Sequence, residues 1–406
     1  MSMEPKFTII IPTRERADVL YYCLKSACAQ DYPNLEILVS DNFSQDNTEE
    51  IVKQFSDNRI RYINTGKRVS MSHNWEFAIS HVNEGWITIL GDDDAILPGA
   101  IQKVYEIAVK TGVKAIRSVS CGYAWPSIRG GKYGQLSISS FRGYEIQNSI
   151  LWISKVLNGE CLYTRLPTLY NGGFVDVSVL QAIKRTTGSL YLSMIPDVYS
   201  GFAIAHMINE YVYSHEPLAI NGASIHSNGA SHFARTSNSK YKSAAKIFLE
   251  EPNIPFHDEI ALPTSTIPPK IIQIYVYESY LQSLPLATRR DSNANPKRQL
   301  EIILMEASRS RQLISDWAKR FCALHSLAVP KSTESTIRLT PYKLLKIYQS
   351  KFARLFGCVI TGSRAKPLGN VYEASIVACR LIKKPPSIGL NIIRNSSELL
   401  RRLIYR

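Results

Sequence analysis

The chain has 406 residues, 45% hydrophobic and 20% charged, a globular composition long enough for two domains or one large domain with an extension. Its net charge of +14 is one-sided: positions 1–259 carry 24 Lys and Arg against 26 Asp and Glu, and positions 260–406 carry 24 against 8. Seven scattered cysteines with no C-x-x-C pair argue against a disulfide framework or a cysteine zinc site, and suit a reducing compartment. Met1 to Lys6 leads straight into a strand without an apolar signal region, and no apolar run reaches the ~18 residues of a spanning helix. The expectation is a cytoplasmic protein, free or peripheral on the inner face of the membrane.

In chain order, Phe7 to Pro12 is a near-continuous apolar run, as in a parallel strand covered on both faces. A loop from Thr13 to Arg16 follows, and Ala17 to Gln30 carries helical spacing. Leu35 to Ser40 predicts a second strand ending in Asp41-Asn42, Asn47 to Phe55 a helix, and Ile60 to Ile63 a short strand. Met71 to Val82 predicts a helix, Trp86 to Leu90 a fourth strand, Gly99 to Thr111 a helix, and Ala115 to Val119 a fifth strand. This alternation argues for right-handed βαβ crossovers and a mostly parallel, Rossmann-like sheet flanked by helices.

Ligands of such sheets bind outside the carboxyl ends of the strands. Three polar clusters fall there: Thr13 to Arg16, Ser40 to Asp46, and Gly91 to Asp94. The last is the most demanding, because Asp92, Asp93 and Asp94 repel one another and burying them unpaired is costly. A hard divalent ion such as Mg²⁺, bridging carboxylate to substrate phosphate, answers that need. Pattern alone therefore predicts a nucleotide-type site with a metal beside it.

The runs Ile10-Ile11-Pro12-Thr13-Arg14-Glu15-Arg16, Val39-Ser40-Asp41-Asn42 through Thr48, and Leu90-Gly91-Asp92-Asp93-Asp94 resemble, in order and spacing, those of the family 2 glycosyltransferases of the inverting GT-A fold. The likeness extends over roughly the first 230 residues. It implies that Pro12, Thr13, Arg16, Asp41 and Asn74 contact the nucleotide sugar, with Asp92 near the ribose. It also implies that the acidic run is the DxD-type motif, Asp93 and Asp94 holding Mg²⁺ or Mn²⁺. Two positions depart from the pattern: Ser40 and Gly91 stand where many members have Asp.

Further on, Gly122 to Tyr144 reads as a variable loop region with short strands, on the acceptor side. Thr168 to Val175 reads as a strand and turn returning to the site, and Val177 to Lys184 as a helix. Asp197 follows Pro196 and opens an apolar helical segment, which by itself reads as an N-cap. The resemblance implies that Asp197 is the catalytic base, and one carboxylate can do both. It also places His226 beside the diphosphate or its metal, with His232 the weaker choice; His73 reads as polarity at a helix start.

Proline-rich Leu262 to Pro269 marks a boundary between a catalytic domain, 1–260, and a basic, helical region, 261–406. Two amphipathic segments in that region, around Leu344–Phe356 and Ile392–Ile404, set apolar arcs opposite Lys and Arg. They suit either helices packed on the catalytic domain or a peripheral anchor on an anionic membrane. No nucleic-acid recognition motif accompanies the charge.

The expected activity is transfer of a sugar from a nucleotide-diphosphate donor to the hydroxyl of a saccharide or lipid-linked saccharide, as in bacterial surface polysaccharide or glycolipid assembly. Two alternatives remain. A Mg²⁺-dependent nucleotidyltransferase wants a glycine-rich phosphate loop, and Thr13 to Val19 contains no glycine. The other is a catalytically silent scaffold that binds sugar nucleotides.

Overall fold

A computed structural model describes residues 4–127, 134–227, 251–260, 271–287, 294–307, 311–329, 358–361 and 367–384. Its centre is β1 (Phe7–Thr13), with β2 (Leu35–Asp41) and β4 (Trp86–Ile89) in parallel register on either side and β3 (Ile60–Asn64) beyond β2. Successive side chains of a strand point to opposite faces, and both faces here are covered. Ile9, Ile11, Ile37 and Val39 pack with Leu20 and Leu24 of α1 (Ala17–Cys28) and Ile101 and Val104 of α4 (Ala100–Thr111). Ile10, Leu38, Ile87 and Ile89 pack with Trp75 and Ala78 of α3 (Met71–Ile79) and with α6 (Val177–Thr187) and α7 (Pro196–Met207). α2 (Thr48–Lys53) and α5 (Ser149–Leu157) complete the helices of this half.

The sheet is α/β and parallel at its centre, but it becomes mixed beyond β4. β6 runs from Ala115 to Ala124, past the expected end at Val119, and does not join β4. The four-residue β9 (Gly173–Asp176) lies antiparallel between them, pairing Val175 with both Ile87 and Ala115. The other edge of β6 pairs with β10 (Glu210–Ala223), a long strand bulged between Ser214 and Ala219. Its far end carries Ala219 and Ile220 against β5 (Ala95–Ile96), directly after the acidic run. β7 (Gln135–Ser139) is a short strand within the Gly122–Tyr144 region, where short strands were expected, and β8 (Tyr144–Asn148) follows it.

Described residues beyond the proline-rich stretch pack against the first part of the chain. α8 (Ile272–Ser283), α9 (Pro296–Glu306) and α10 (Arg311–Leu324) share a core with α7 that includes Phe202, Ile274, Tyr277, Ile303, Trp317 and Phe321. Among its described residues the region is helical apart from β11 (Cys358–Thr361), which pairs antiparallel with β7. α11 (Val371–Lys383) then packs Val371, Ala374 and Ala378 beside Leu97 and Leu136. The two amphipathic segments at 344–356 and 392–404, and His232, lie outside the described residues. Among the described residues, no helix is long and apolar enough to cross a membrane.

One buried carboxyl in the α7–α8 contact has a measurable consequence. Glu278 is fully buried, and it accepts a 2.6 Å hydrogen bond from Ser193 at Oε2. Burial pushes its pKa from 4.5 up to about 7. A raised folded-state value means the contribution to stability is full below the unfolded value and is lost as pH rises through the folded one. Unfolding free energy is expected to fall by about 3 kcal/mol from this group as pH rises through that window. Urea titrations of the parent and Glu278→Gln at both ends of the window check it, the variant giving the flatter profile.

Candidate active site

The end of β1 and the acidic run meet at a cavity of about 500 Å³ along the carboxyl edge of the sheet, a size suited to a small ligand. Pro12, Thr13 and Arg16 line it from β1 and the following loop, Asn74 and Trp75 from α3, and Asp92 and Asp93 from the acidic run. Asp197 lines it from the start of α7, and Ile272 and Tyr275 from α8. The sequence-predicted nucleotide loop, acidic run and Asp197 therefore open on one space.

The three adjacent aspartates do three different things. Asp92 is tied down by Thr13 Oγ1 at Oδ2 and by Arg16 Nη1 at Oδ1, both at 2.9 Å. Burial pushes the Asp92 carboxyl up, and the Arg16 guanidinium opposes it. Burial in turn pulls Arg16 down, but Asp92 and Asp93 outweigh it and leave its pKa raised. Asp93 Oδ2 accepts from the Ser224 and Ser227 hydroxyls at 2.6 and 2.5 Å, while Oδ1 takes no hydrogen bond among the described residues. Asp94 is fully buried: Oδ1 accepts from Gly222 N at 2.6 Å, and Oδ2 from Tyr170 Oη and Gly91 N at 2.8 and 3.1 Å. Burial pushes the Asp94 carboxyl well up, with the adjacent Asp93 adding to it.

Both Asp94 oxygens accept hydrogen bonds from the protein, and the bond from Gly222 ties the loop to β10. His226 lends its backbone carbonyl to Arg16 Nη2 at 2.6 Å, but its imidazole Nε2 meets Asp18 Oδ2 at 3.1 Å, on α1. That hydrogen bond raises the His226 pKa, with Asp92 of the acidic run also contributing. The departure at Gly91 has a steric reason, since a Cβ there would come within 2.5 Å of Asp94 Oδ2 and 2.6 Å of Tyr170 Oη. At Gly222 the backbone approaches so closely that a Cβ would collide with the Asp93 carbonyl.

Asp41 is 2% exposed and spent on the protein: Oδ1 accepts from Ser44 N at 3.0 Å, and Oδ2 from Tyr62 Oη at 2.6 Å and Asn64 Nδ2 at 3.0 Å. It shapes the second loop from behind and does not line the cavity. Asn74 accepts from Ser40 Oγ at 2.8 Å, so the Ser40 departure serves to orient a cavity residue. Asp197 is not the N-cap: Ile195 holds that position, Pro196 opens α7, and Asp197 stands second. Burial pushes the Asp197 carboxyl up; its own and Val198's backbone N–H groups and the Tyr163 hydroxyl act against this.

Sequence reasoning missed several lining groups. Tyr163 donates to Asp197 Oδ2 at 3.4 Å, and Tyr170 stacks on Trp75 with centroids 5.4 Å apart. Tyr163 sits in a one-turn helix (Tyr163–Arg165) with no pattern of its own. The return of Thr168 to Val175 toward the site was the signal available for Tyr170. Ile272 and Tyr275 carried no signal, because their helix lies beyond the compositional boundary.

The sheet, parallel at its centre and flanked by helices, is an α/β fold of GT-A type. Residues 8–159 match the model of glycosyl transferase family 2. A β-1,3-glucosyltransferase of Campylobacter jejuni, named for its GalNAc(5)-diNAcBac-PP-undecaprenol substrate, is 35% identical over 107 residues, 26% of this chain and 35% of that one. Glycosyltransferase GlyA of Streptococcus pneumoniae is 30% identical over 112 residues, 27% of this chain and 16% of that one. The chain thus spans about a third or less of the length of these curated relatives. The structure of Staphylococcus aureus TarS 1-349 in complex with UDP-GlcNAc superposes with a TM-score of 0.49 at 13% identity, covering 93% of this chain and 90% of that one.

Proposed function

We propose that this chain is an inverting glycosyltransferase that moves a sugar from a nucleotide-diphosphate sugar to an acceptor hydroxyl. The observation that carries the reading is the convergence of Asp93, with its free Oδ1, and Asp197 on one cavity otherwise walled by Trp75, Tyr170 and Tyr163. Asp197 takes the acceptor proton as the acceptor oxygen attacks the anomeric carbon. The bond from that carbon to the phosphate oxygen breaks on the opposite face, and the nucleoside diphosphate leaves with the electron pair. The raised pKa of Asp197 brings it nearer the range in which a base works well.

Among the described residues no group of three or more His, Cys, Asp or Glu gathers to cage a metal. One free carboxylate oxygen does suit Mg²⁺ or Mn²⁺, which commonly take one or two carboxylates and complete their shell with phosphate and water. Asp93 would hold such an ion, with Ser224 and Ser227 fixing its other oxygen. When bound, the ion offsets charge growing on the leaving diphosphate. Arg16 and Thr13 hold Asp92 in place behind it.

The likeness to the C. jejuni enzyme supports a saccharide or lipid-linked saccharide as acceptor and a place in surface polysaccharide or glycolipid assembly. The basic C-terminal third supports an anionic membrane as a partner. The test is release of nucleoside diphosphate from UDP-glucose, UDP-GlcNAc and GDP-mannose, with and without Mn²⁺. Turnover of at least one donor is expected. A protein that binds a donor yet releases none, with or without oligosaccharide, would instead be a sugar-nucleotide scaffold.

A further inference from the structure

Arg117 is a cation with an unusual set of partners. It sits on β6, is 7% exposed, and forms no ion pair with any carboxylate among the described residues. Its N–H groups go to backbone carbonyls: Nε to Thr164 at 3.2 Å, and Nη1 to Tyr170 at 2.6 Å and Asn171 at 3.0 Å. A buried guanidinium is costly, and a planar fork of donors is the feature of Arg that compact ammonium cannot copy. Here the fork grips both ends of one segment, with Tyr163 at its head and Tyr170 near its tail. Tyr163 Oη reaches Asp197 Oδ2 at 3.4 Å, a long contact of the kind that tightens when a substrate fills a site.

We propose that Arg117 and Tyr163 are positioning residues for Asp197, Arg117 clamping residues 164–171 so that the Tyr163 hydroxyl is held against the carboxylate. Their role in catalysis rests on the reading of Asp197 as the base; the clamp itself does not. Three surroundings bear on how Asp197 titrates. From β6 comes the Arg117 charge, and from the segment it grips come Tyr163 and Tyr170. Tyr191, just before α7, also faces Asp197. Glu76 of α3 and Glu278 of α8 act on Tyr199, two residues further along α7. Both Arg117 and the Tyr163 hydroxyl favour the ionised carboxylate, against burial.

The test reads Asp197 directly. The full chain is labelled with ¹³C at aspartate carboxyls, and the Asp197 resonance is assigned by its loss in Asp197→Asn. Tyr163→Phe, which removes one oxygen, and Arg117→Met are each expected to raise the titration midpoint of that carboxyl by about 0.5–1 pH unit, the size of one hydrogen bond or one nearby charge. A merely structural role would lower stability without moving the midpoint. An unmoved midpoint in folded Tyr163→Phe overturns the proposal even if Arg117→Met fails to fold. Failure of the base reading is a separate result, seen as unchanged turnover in Asp197→Asn.

Discussion

An Asp197→Asn variant is expected to fold and bind donor as the parent does, and to turn over about 10²–10⁴ times more slowly, the usual worth of general-base assistance. Asparagine at the second position of α7 loses a favourable charge near the helix N-terminus, a small effect. It also removes a carboxylate whose ionised form burial disfavours, so the two changes oppose each other. Donor binding survives because Thr13, Arg16 and Asp93 lie on other loops. The pH profile supplies a second readout. Asp197 must be ionised to act, and its pKa lies above the ordinary 3.8, so parental turnover falls as pH drops through that raised value. The acid limb should vanish in the variant. Turnover within a few-fold of the parent would remove Asp197 from the mechanism.

Asp93→Asn is expected to abolish Mn²⁺-dependent donor binding and to cut turnover by about 10²–10³, the cost of losing one preorganised group that meets developing charge. The fold should stand, because an asparagine oxygen still accepts from Ser224 and Ser227. Calorimetry of nucleoside diphosphate binding, with Mn²⁺ and with EDTA, reads the effect without any turnover. Asp94→Asn separates ligation from architecture: it replaces an acceptor of three hydrogen bonds, so its loss should appear in thermal stability. If Asp93→Asn turns over normally and remains EDTA-sensitive, the metal belongs elsewhere.

Much of the catalytic half was legible in the chain itself. Ile9, Ile10 and Ile11 are apolar without a gap because helices cover both faces of β1, and the same holds for Ile37, Leu38 and Val39 of β2. Such strands advertise themselves wherever they occur. The polar residues that interrupt them fall at strand ends for the same reason, and that located the cavity. The mixed half was less legible. β9 has four residues and takes its place by pairing with β4 and β6 at once, which no local propensity encodes.

The sequence by itself determined the class of fold, the three loops that meet at its edge, and the presence of a carboxylate at the head of α7. Only the tertiary structure decided what each acidic residue does there. Asp92, Asp93 and Asp94 are neighbours in the chain, yet their partners lie 76 residues away at Arg16, 131 at Ser224 and 128 at Gly222. The reason is that β10 returns antiparallel to β5 and delivers backbone N–H groups and hydroxyls to two of the three carboxylates. Which oxygen is left free for a ligand depends on that delivery, and a burial so distant in sequence leaves no periodic trace in it.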